Sequence, residues 1–247
     1  MLLILAKEML KLTLIAGMLY FLLQRYLRWR KPDLNSAAEK YRMSILLVLA
    51  TILIGLKVSE AALSGRSAPM DEAILLFLHH YVPAALIPFF GAITLTGSFN
   101  VLLTLTVLSC LVFLGLKRRF EVLLLASSAI CGAALIYLLK RLTERQRPAL
   151  WETKYYWGTS FPSGHTLETT CFAMALTLCL RPFWPDRIRT IRIIALVWVF
   201  LVGWSRLVLG VHWPTDVLAA ACLGMLIPIA LQFMLVRLGF QRAGAKR

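Results

Sequence analysis

Three short stretches of this chain carry residues whose types and spacing suit the handling of a phosphate group. Lys140 and Arg147-Pro148 form K-x6-R-P, Pro162-Ser163-Gly164-His165 form P-S-G-H, and Ser205-Arg206, His212 and Asp216 form S-R-x5-H-x3-D. A phosphomonoester brings up to two negative charges, and its transfer needs cations and aligned donors around the equatorial oxygens. Lys140, Arg147 and Arg206 supply three cations, and each arginine adds a planar fork that fits phosphate oxygens. Ser163 offers a hydroxyl. The amides of Ser163, Gly164 and His165, at an expected helix start, would form an anion cradle, and Gly164 leaves room for close approach.

Pro214 suits the first position of a helix, so a helix is expected to begin there and to carry Asp216 in its first turn, near His212. A carboxylate so placed can accept a hydrogen bond from one imidazole nitrogen and leave the other free as nucleophile or base. Each residue alone has a plainer reading. His165 or His212 could be a headgroup contact, Lys140 and Arg206 could snorkel, and Asp216 could simply favour the helix dipole. Those readings need separate explanations for residues that the order of spans returns to one face. Glu144, Arg145 and Glu168 lie beside the motifs and read as loop, surface or entrance residues.

Taken together, the three blocks resemble the signature of the type 2 phosphatidic acid phosphatase superfamily, which also includes glucose-6-phosphatase and the vanadium haloperoxidases. The resemblance covers roughly residues 70 to 236. It implies that His212 attacks phosphorus to form a phosphohistidine, that Asp216 orients it, and that His165 protonates the leaving oxygen and then activates water. It implies no metal and no cofactor, and the sequence has neither an aspartate cluster nor H-E-x-x-H.

The elements that must position these residues are membrane helices. With 60% hydrophobic residues and a mean hydropathy of +0.76 over 247 residues, the chain departs from ordinary soluble composition. The expected fold is an all-α polytopic transmembrane bundle. Six core spans are expected at about 43–63, 98–116, 120–139, 163–181, 193–209 and 214–236, with an extra N-terminal hydrophobic helix over 2–23 that spans or lies at the interface. Two regions follow: a hydrophobic helix and basic connector over 1–42, and a membrane-embedded phosphatase domain over 43–247. Residues 64–97 read as amphipathic helices on the outer face, also an implication of the resemblance. Adjacent His79 and His80 point different ways on a helix, which favours an interfacial role over a metal site.

The net charge of +15 would suggest nucleic acid for a soluble chain, but here the cations cluster between apolar segments, as cytoplasmic loops require. Basic stretches at 25–42 (which includes Lys31), Lys117-Arg118-Arg119, 181–192 and the tail (Arg237, Arg242, Lys246, Arg247) mark the inside. Lys7 and Glu8 interrupt the first apolar run, and Trp151, Tyr155, Tyr156 and Trp157 read as interfacial aromatics. The site then faces out. Cys110, Cys131, Cys171, Cys179 and Cys222 fall in apolar segments, without ligand spacing, and read as small buried hydrophobes. No cleavage site follows the first apolar run, so no removed signal peptide is expected.

The leading expectation is a lipid phosphate phosphatase of a bacterial inner membrane, acting on the extracytoplasmic side. The family's substrates include undecaprenyl diphosphate, phosphatidylglycerol phosphate, phosphatidate and lipid A phosphates. A lipid phosphotransferase would use the same histidine with a lipid hydroxyl as acceptor. Halide oxidation with vanadate is disfavoured by the spans. A headgroup-binding scaffold would need neither nucleophile nor acid. The partners expected are the lipid substrate and the bilayer, without nucleic acid.

Overall fold

The computed structural model describes residues 2–30, 36, 38–153 and 158–240, with side chains from residue 10 onward. Lys31, Tyr155, Tyr156, Trp157, Arg242, Lys246 and Arg247, and the side chains of Lys7 and Glu8, lie outside the described residues. Among the described residues the architecture is all helical, as the composition implies. In chain order the helices are α1 (Leu2–Arg30), α2 (Arg42–Leu63), α3 (Ala68–Tyr81), α4 (Ile87–Thr96), α5 (Phe99–Gly115), α6 (Arg119–Leu142), α7 (Gly164–Leu180), α8 (Ile188–Val208) and α9 (Pro214–Arg237).

The chain divides into two compact units, 1–57 and 58–247. In the first, α1 runs through Arg25 and Arg28 to Arg30, further than the apolar run over 2–23, so part of the expected basic connector is helical. Arginine is a good helix former, which lets the helix outlast its apolar stretch. Tyr20 donates to the carbonyl of Ala38 at 3.4 Å.

Five helices are long and apolar enough to cross a bilayer: Leu10–Arg30, α2, α6, α8 and α9. The pair α3 and Ala84–Thr96 would add a sixth if their 98° bend is a break within one span. α5 and α7, each 17 residues, are about 26 Å long at 1.5 Å per residue, short of a hydrocarbon core of about 30 Å. Length and composition thus do not return the expected tally of six core spans.

α7 is the central helix of the second unit and packs against α5, α6, α8 and α9. It is buried nearly all round, including Thr166, Thr169, Thr170 and Thr177. Two of these threonines satisfy their own hydroxyls: Thr170 and Thr177 each donate to the carbonyl four residues back at 2.7 Å, so they sit in an apolar interior without orphaned donors. Away from the motif residues, Phe113, Phe120, Leu124, Leu125, Phe172, Cys179 and Leu235 form an apolar core between α5, α6, α7 and α9. Cys171, Cys179 and Cys222 are buried as expected, but Cys131 is exposed. In an apolar helix an exposed position is compatible with lipid contact.

Gly224 sets how closely α9 approaches α7. A Cβ there would lie 2.5 Å from the carbonyl oxygen of Leu167 and 2.8 Å from Cβ of Thr170. Gly224→Ala should therefore push the helices apart at a cost of roughly 1–3 kcal/mol, the usual range for overpacking. Thermal unfolding in detergent should show a midpoint several degrees lower. Gly91→Ala, at a site with nothing within 4 Å of the added carbon, is the control and should not lower it.

Candidate active site

The start of α9 is built as its sequence implies. Pro214 is its first residue, and Asp216 reaches back so that its Oδ2 accepts from the backbone N–H of Trp213 at 3.0 Å, the carboxylate half of a capping box. Between α8 and α9 the chain turns at Gly210, whose φ is +67°. A Cβ there would also fall 2.4 Å from the Trp151 ring, so both conformation and space call for glycine. Trp151 in turn stacks on His79 of α3, with ring centroids 4.2 Å apart.

This turn buries His212, which is 2% exposed. Its Nδ1 lies 3.7 Å from Asp216 Oδ2, an electrostatic contact longer than a hydrogen bond. Its Nε2 is 3.2 Å from Nη1 of Arg147. The arrangement differs from the expected one, in which the carboxylate accepts from one ring nitrogen and the other is free. Asp216 Oδ2 is shared between Trp213 N–H and the hydroxyl of Ser160, because the same carboxylate caps the helix.

The other motif residues close around this histidine. Arg147 donates from Nε to Gly158 O at 3.0 Å and from Nη1 to Val211 O at 2.7 Å. Lys140, in the last turn of α6, donates to Thr159 O, and Thr159 Oγ1 donates back to Lys140 O at 3.1 Å. Arg206 is 1% exposed and donates to Thr94 Oγ1 at 2.7 Å, a partner on α4 that sequence does not suggest. Ser205 turns away to its own helix, donating to Val202 O at 2.7 Å.

α7 begins at Gly164, so the first-turn amides of Gly164 and His165 have no intrahelical acceptor. The Ser163 amide, counted in the expected cradle, instead donates to Asp216 O at 3.4 Å. The Ser163 hydroxyl lies 3.0 Å from that of Thr166. His165 is half-buried and within the electrostatic reach of Arg206, His212, Arg147 and Lys140. A Cβ on Gly164 would meet Ile136 only at 3.8 Å, so no protein atom demands glycine there.

Arg145 corrects the sequence reading most. Taken for a loop, surface or entrance residue, its side chain is only 12% exposed and bridges two fully buried carboxylates, Asp71 of α3 and Asp216. Asp71 lies in the stretch 64–97, which read only as amphipathic helices on the outer face. An acidic residue in the first turn of a helix is common enough to hide in plain view, and the partners are 74 residues apart.

Burial holds the imidazole of His212 neutral. Its pKa falls from the usual 6.5 to about 3, chiefly through desolvation, with the charges of Arg206 and Arg147 pushing the same way against Asp216. The site can therefore present an uncharged ring nitrogen beside three cations, which suits attack on an electron-poor centre carried by an anion.

Residues 121–237 match the sequence profile of the PAP2 superfamily. Over 93 residues the chain is 39% identical to phosphatidylglycerophosphatase B of Bacillus subtilis, covering 36% of this chain and 46% of that protein. Over 64 residues it is 47% identical to phosphatidylglycerophosphatase B of Escherichia coli, covering 26% of this chain and 24% of that protein. The matches thus span less than half the length of these curated relatives. The crystal structure of a transmembrane PAP2 type phosphatidylglycerolphosphate phosphatase from Bacillus subtilis superimposes with a TM-score of 0.70 at 29% identity, covering 77% of this chain and 96% of that one.

A histidine with a depressed pKa makes stability depend on pH. The unfolded chain takes up the proton near pH 6.5 and the folded one only near 3, so this contribution is complete above 6.5 and is lost as pH falls toward 3. Between pH 7.5 and 5.5 it amounts to roughly 1 kcal/mol. Chemical unfolding in detergent at both values should show a smaller drop for His212→Gln than for the unsubstituted protein. An equal drop would mean that the buried ring is not the group responsible.

Proposed function

We propose that this chain, whose residues 121–237 match the sequence profile of the PAP2 superfamily, is an integral membrane phosphatase that hydrolyses the phosphomonoester of a lipid, phosphatidylglycerol phosphate being the first candidate. The observation that carries this reading is the meeting of three separated segments at one end of the helices, around a neutral, buried His212. The names of the relatives supply the substrate class.

In the proposed reaction the phosphoryl group occupies the space between Lys140, Arg147 and Arg206, with the Gly164 and His165 amides and the Ser163 hydroxyl as further donors. Arg147 moves its contact from His212 Nε2 to a phosphate oxygen, which frees that nitrogen to attack phosphorus. The phosphorus–oxygen bond to the lipid breaks as His165, which takes up a proton once the bound phosphate anion offsets the cations around it, protonates the leaving oxygen. His165 then accepts a proton from water as the water attacks the phosphohistidine, which releases inorganic phosphate and restores His212. Asp216 stabilises the positive charge on His212 while the phosphorus–nitrogen bond exists. The chemistry calls for no metal.

The proposed location is a bacterial inner membrane with the site on the extracytoplasmic side. Arg118 and Arg119, at the start of α6, and Arg187, Arg189 and Arg192, around the start of α8, stand at the helix ends opposite Lys140 and Arg206, where the positive-inside rule would put the cytoplasm. The acyl chains would remain among the lipids while the headgroup enters the cationic end.

Phosphate release from phosphatidylglycerol phosphate, phosphatidate and undecaprenyl diphosphate in detergent tests the reading. His212→Ala should remove turnover, and His165→Ala should slow it on the order of 10²–10⁴-fold, the usual worth of a general acid. Rapid quenching of the wild type during turnover should trap acid-labile phosphate on the protein. Near-normal release by folded His212→Ala would sink the nucleophile assignment, and loss of activity in EDTA restored by a divalent ion would point to a metal mechanism.

A further inference from the structure

Among the buried charges that the proposed reaction does not use, Arg145 and Asp71 lie against Asp216. Arg145 donates from Nη1 to Asp216 Oδ1 and to Thr215 Oγ1 at 2.9 Å. From Nη2 it donates to Asp71 Oδ2 at 2.8 Å, with Ser67 Oγ a longer contact at 3.4 Å. Asp71 accepts further from the Thr215 backbone N–H at 3.0 Å, the Thr215 hydroxyl at 2.7 Å and the Ser67 hydroxyl at 2.7 Å. Both carboxylates are fully buried.

Such a cluster is a poor way to gain stability alone, since removing ions from water costs as much as their attraction returns, and an apolar replacement often does as well. Its geometry suggests another use. Asp216 shows one oxygen to His212 and the other to Arg145. One arm of the Arg145 guanidinium holds Asp216 Oδ1 while the other is anchored on Asp71, which opposes a rotation that would carry the second oxygen away from the imidazole. An arginine alone would also cancel the negative charge that a positively charged imidazole needs. Asp71 offsets that effect: with two carboxylates and one guanidinium, the group keeps one net negative charge beside His212.

We propose that Arg145 and Asp71 are positioning residues for the His212–Asp216 pair: Arg145 fixes the orientation of Asp216, and Asp71 offsets the charge of Arg145 and ties α3 to the first turn of α9. The inference rests on the phosphohistidine reading above. It also extends the working site to α3, outside the matched residues 121–237. Arg145 is not a fourth phosphate ligand, because both its terminal nitrogens are engaged by protein oxygens and it holds the oxygen of Asp216 that His212 does not face.

The test uses the full chain in detergent, with kcat, KM and thermal unfolding measured for Arg145→Met, Arg145→Lys, Asp71→Asn, Asp216→Asn and the double variant Arg145→Met/Asp216→Asn. Misorientation of a reacting group costs on the order of 10²-fold, so Arg145→Met should lose about that much kcat with KM held within about twofold, and Arg145→Lys should recover part of the loss. Folded Asp71→Asn should lower kcat about tenfold. The double variant should be no slower than Asp216→Asn, because a residue acting through Asp216 has nothing left to position. Losses that multiply in the double variant, a raised KM at unchanged kcat, or a folded Asp71→Asn or Arg145→Lys with wild-type kcat would each overturn the proposal, whether or not Arg145→Met folds. Turnover by His212→Ala, run alongside, would sink the nucleophile assignment instead. An inert His212→Ala with multiplicative losses would sink only the positioning role.

Discussion

Asp216 is the joint on which this structure turns. One carboxylate caps the first turn of α9 through Trp213 N–H, receives the Ser160 hydroxyl, holds Arg145 and stands beside His212. A fully buried carboxylate is tolerable only when nearly all its lone pairs are used, and the partners here come from three pieces of chain. Satisfying this one group therefore draws the K-x6-R-P segment, the loop before P-S-G-H and the α8–α9 turn together. Helix capping and assembly of the site are one set of bonds.

The apolar bundle makes that concentration of charge possible. α7 is buried on almost every side, with the tight approach of α9 at Gly224 and threonines that bond to their own backbone. Among the described residues Asp71, Arg206, His212 and Asp216 are buried at the end where three segments meet, while Glu121 is buried at the opposite end, in the first turn of α6. At the first of these ends Lys140, Arg147 and Arg206 are each held by a backbone carbonyl or a hydroxyl that carries no charge of its own. Acceptors of this kind hold the three cations in place at the end proposed to bind an anion.

How much of this the sequence disclosed depended on how far apart the partners lie. The helix start at Pro214 follows from one residue's geometry and its neighbours, and the three motif blocks from fixed local spacings. The Arg145–Asp71 pair, the Thr94 partner of Arg206 and the stack of His79 on Trp151 are contacts between segments far apart in the chain. Nothing at position 145 alone separates an arginine that faces water from one that bridges two buried acids. The Ser163 amide failed for a related reason: its acceptor, the carbonyl of Asp216, arrives from another helix.

The exchange between capping and catalysis also explains the long 3.7 Å approach of His212 to Asp216. Oδ2 is already committed to two donors, so the imidazole receives what remains of its electron density, while Arg147 faces the opposite ring nitrogen at 3.2 Å. Under the proposed reaction, phosphate draws that guanidinium away and the ring gains positive charge as the phosphorus–nitrogen bond forms. The attraction between imidazole and carboxylate then strengthens as the charge develops, and the pair can close in the transition state rather than before it. Interactions that tighten only at that stage are the ones that raise a rate, and a fully made hydrogen bond in the resting protein would stabilise the starting state by as much.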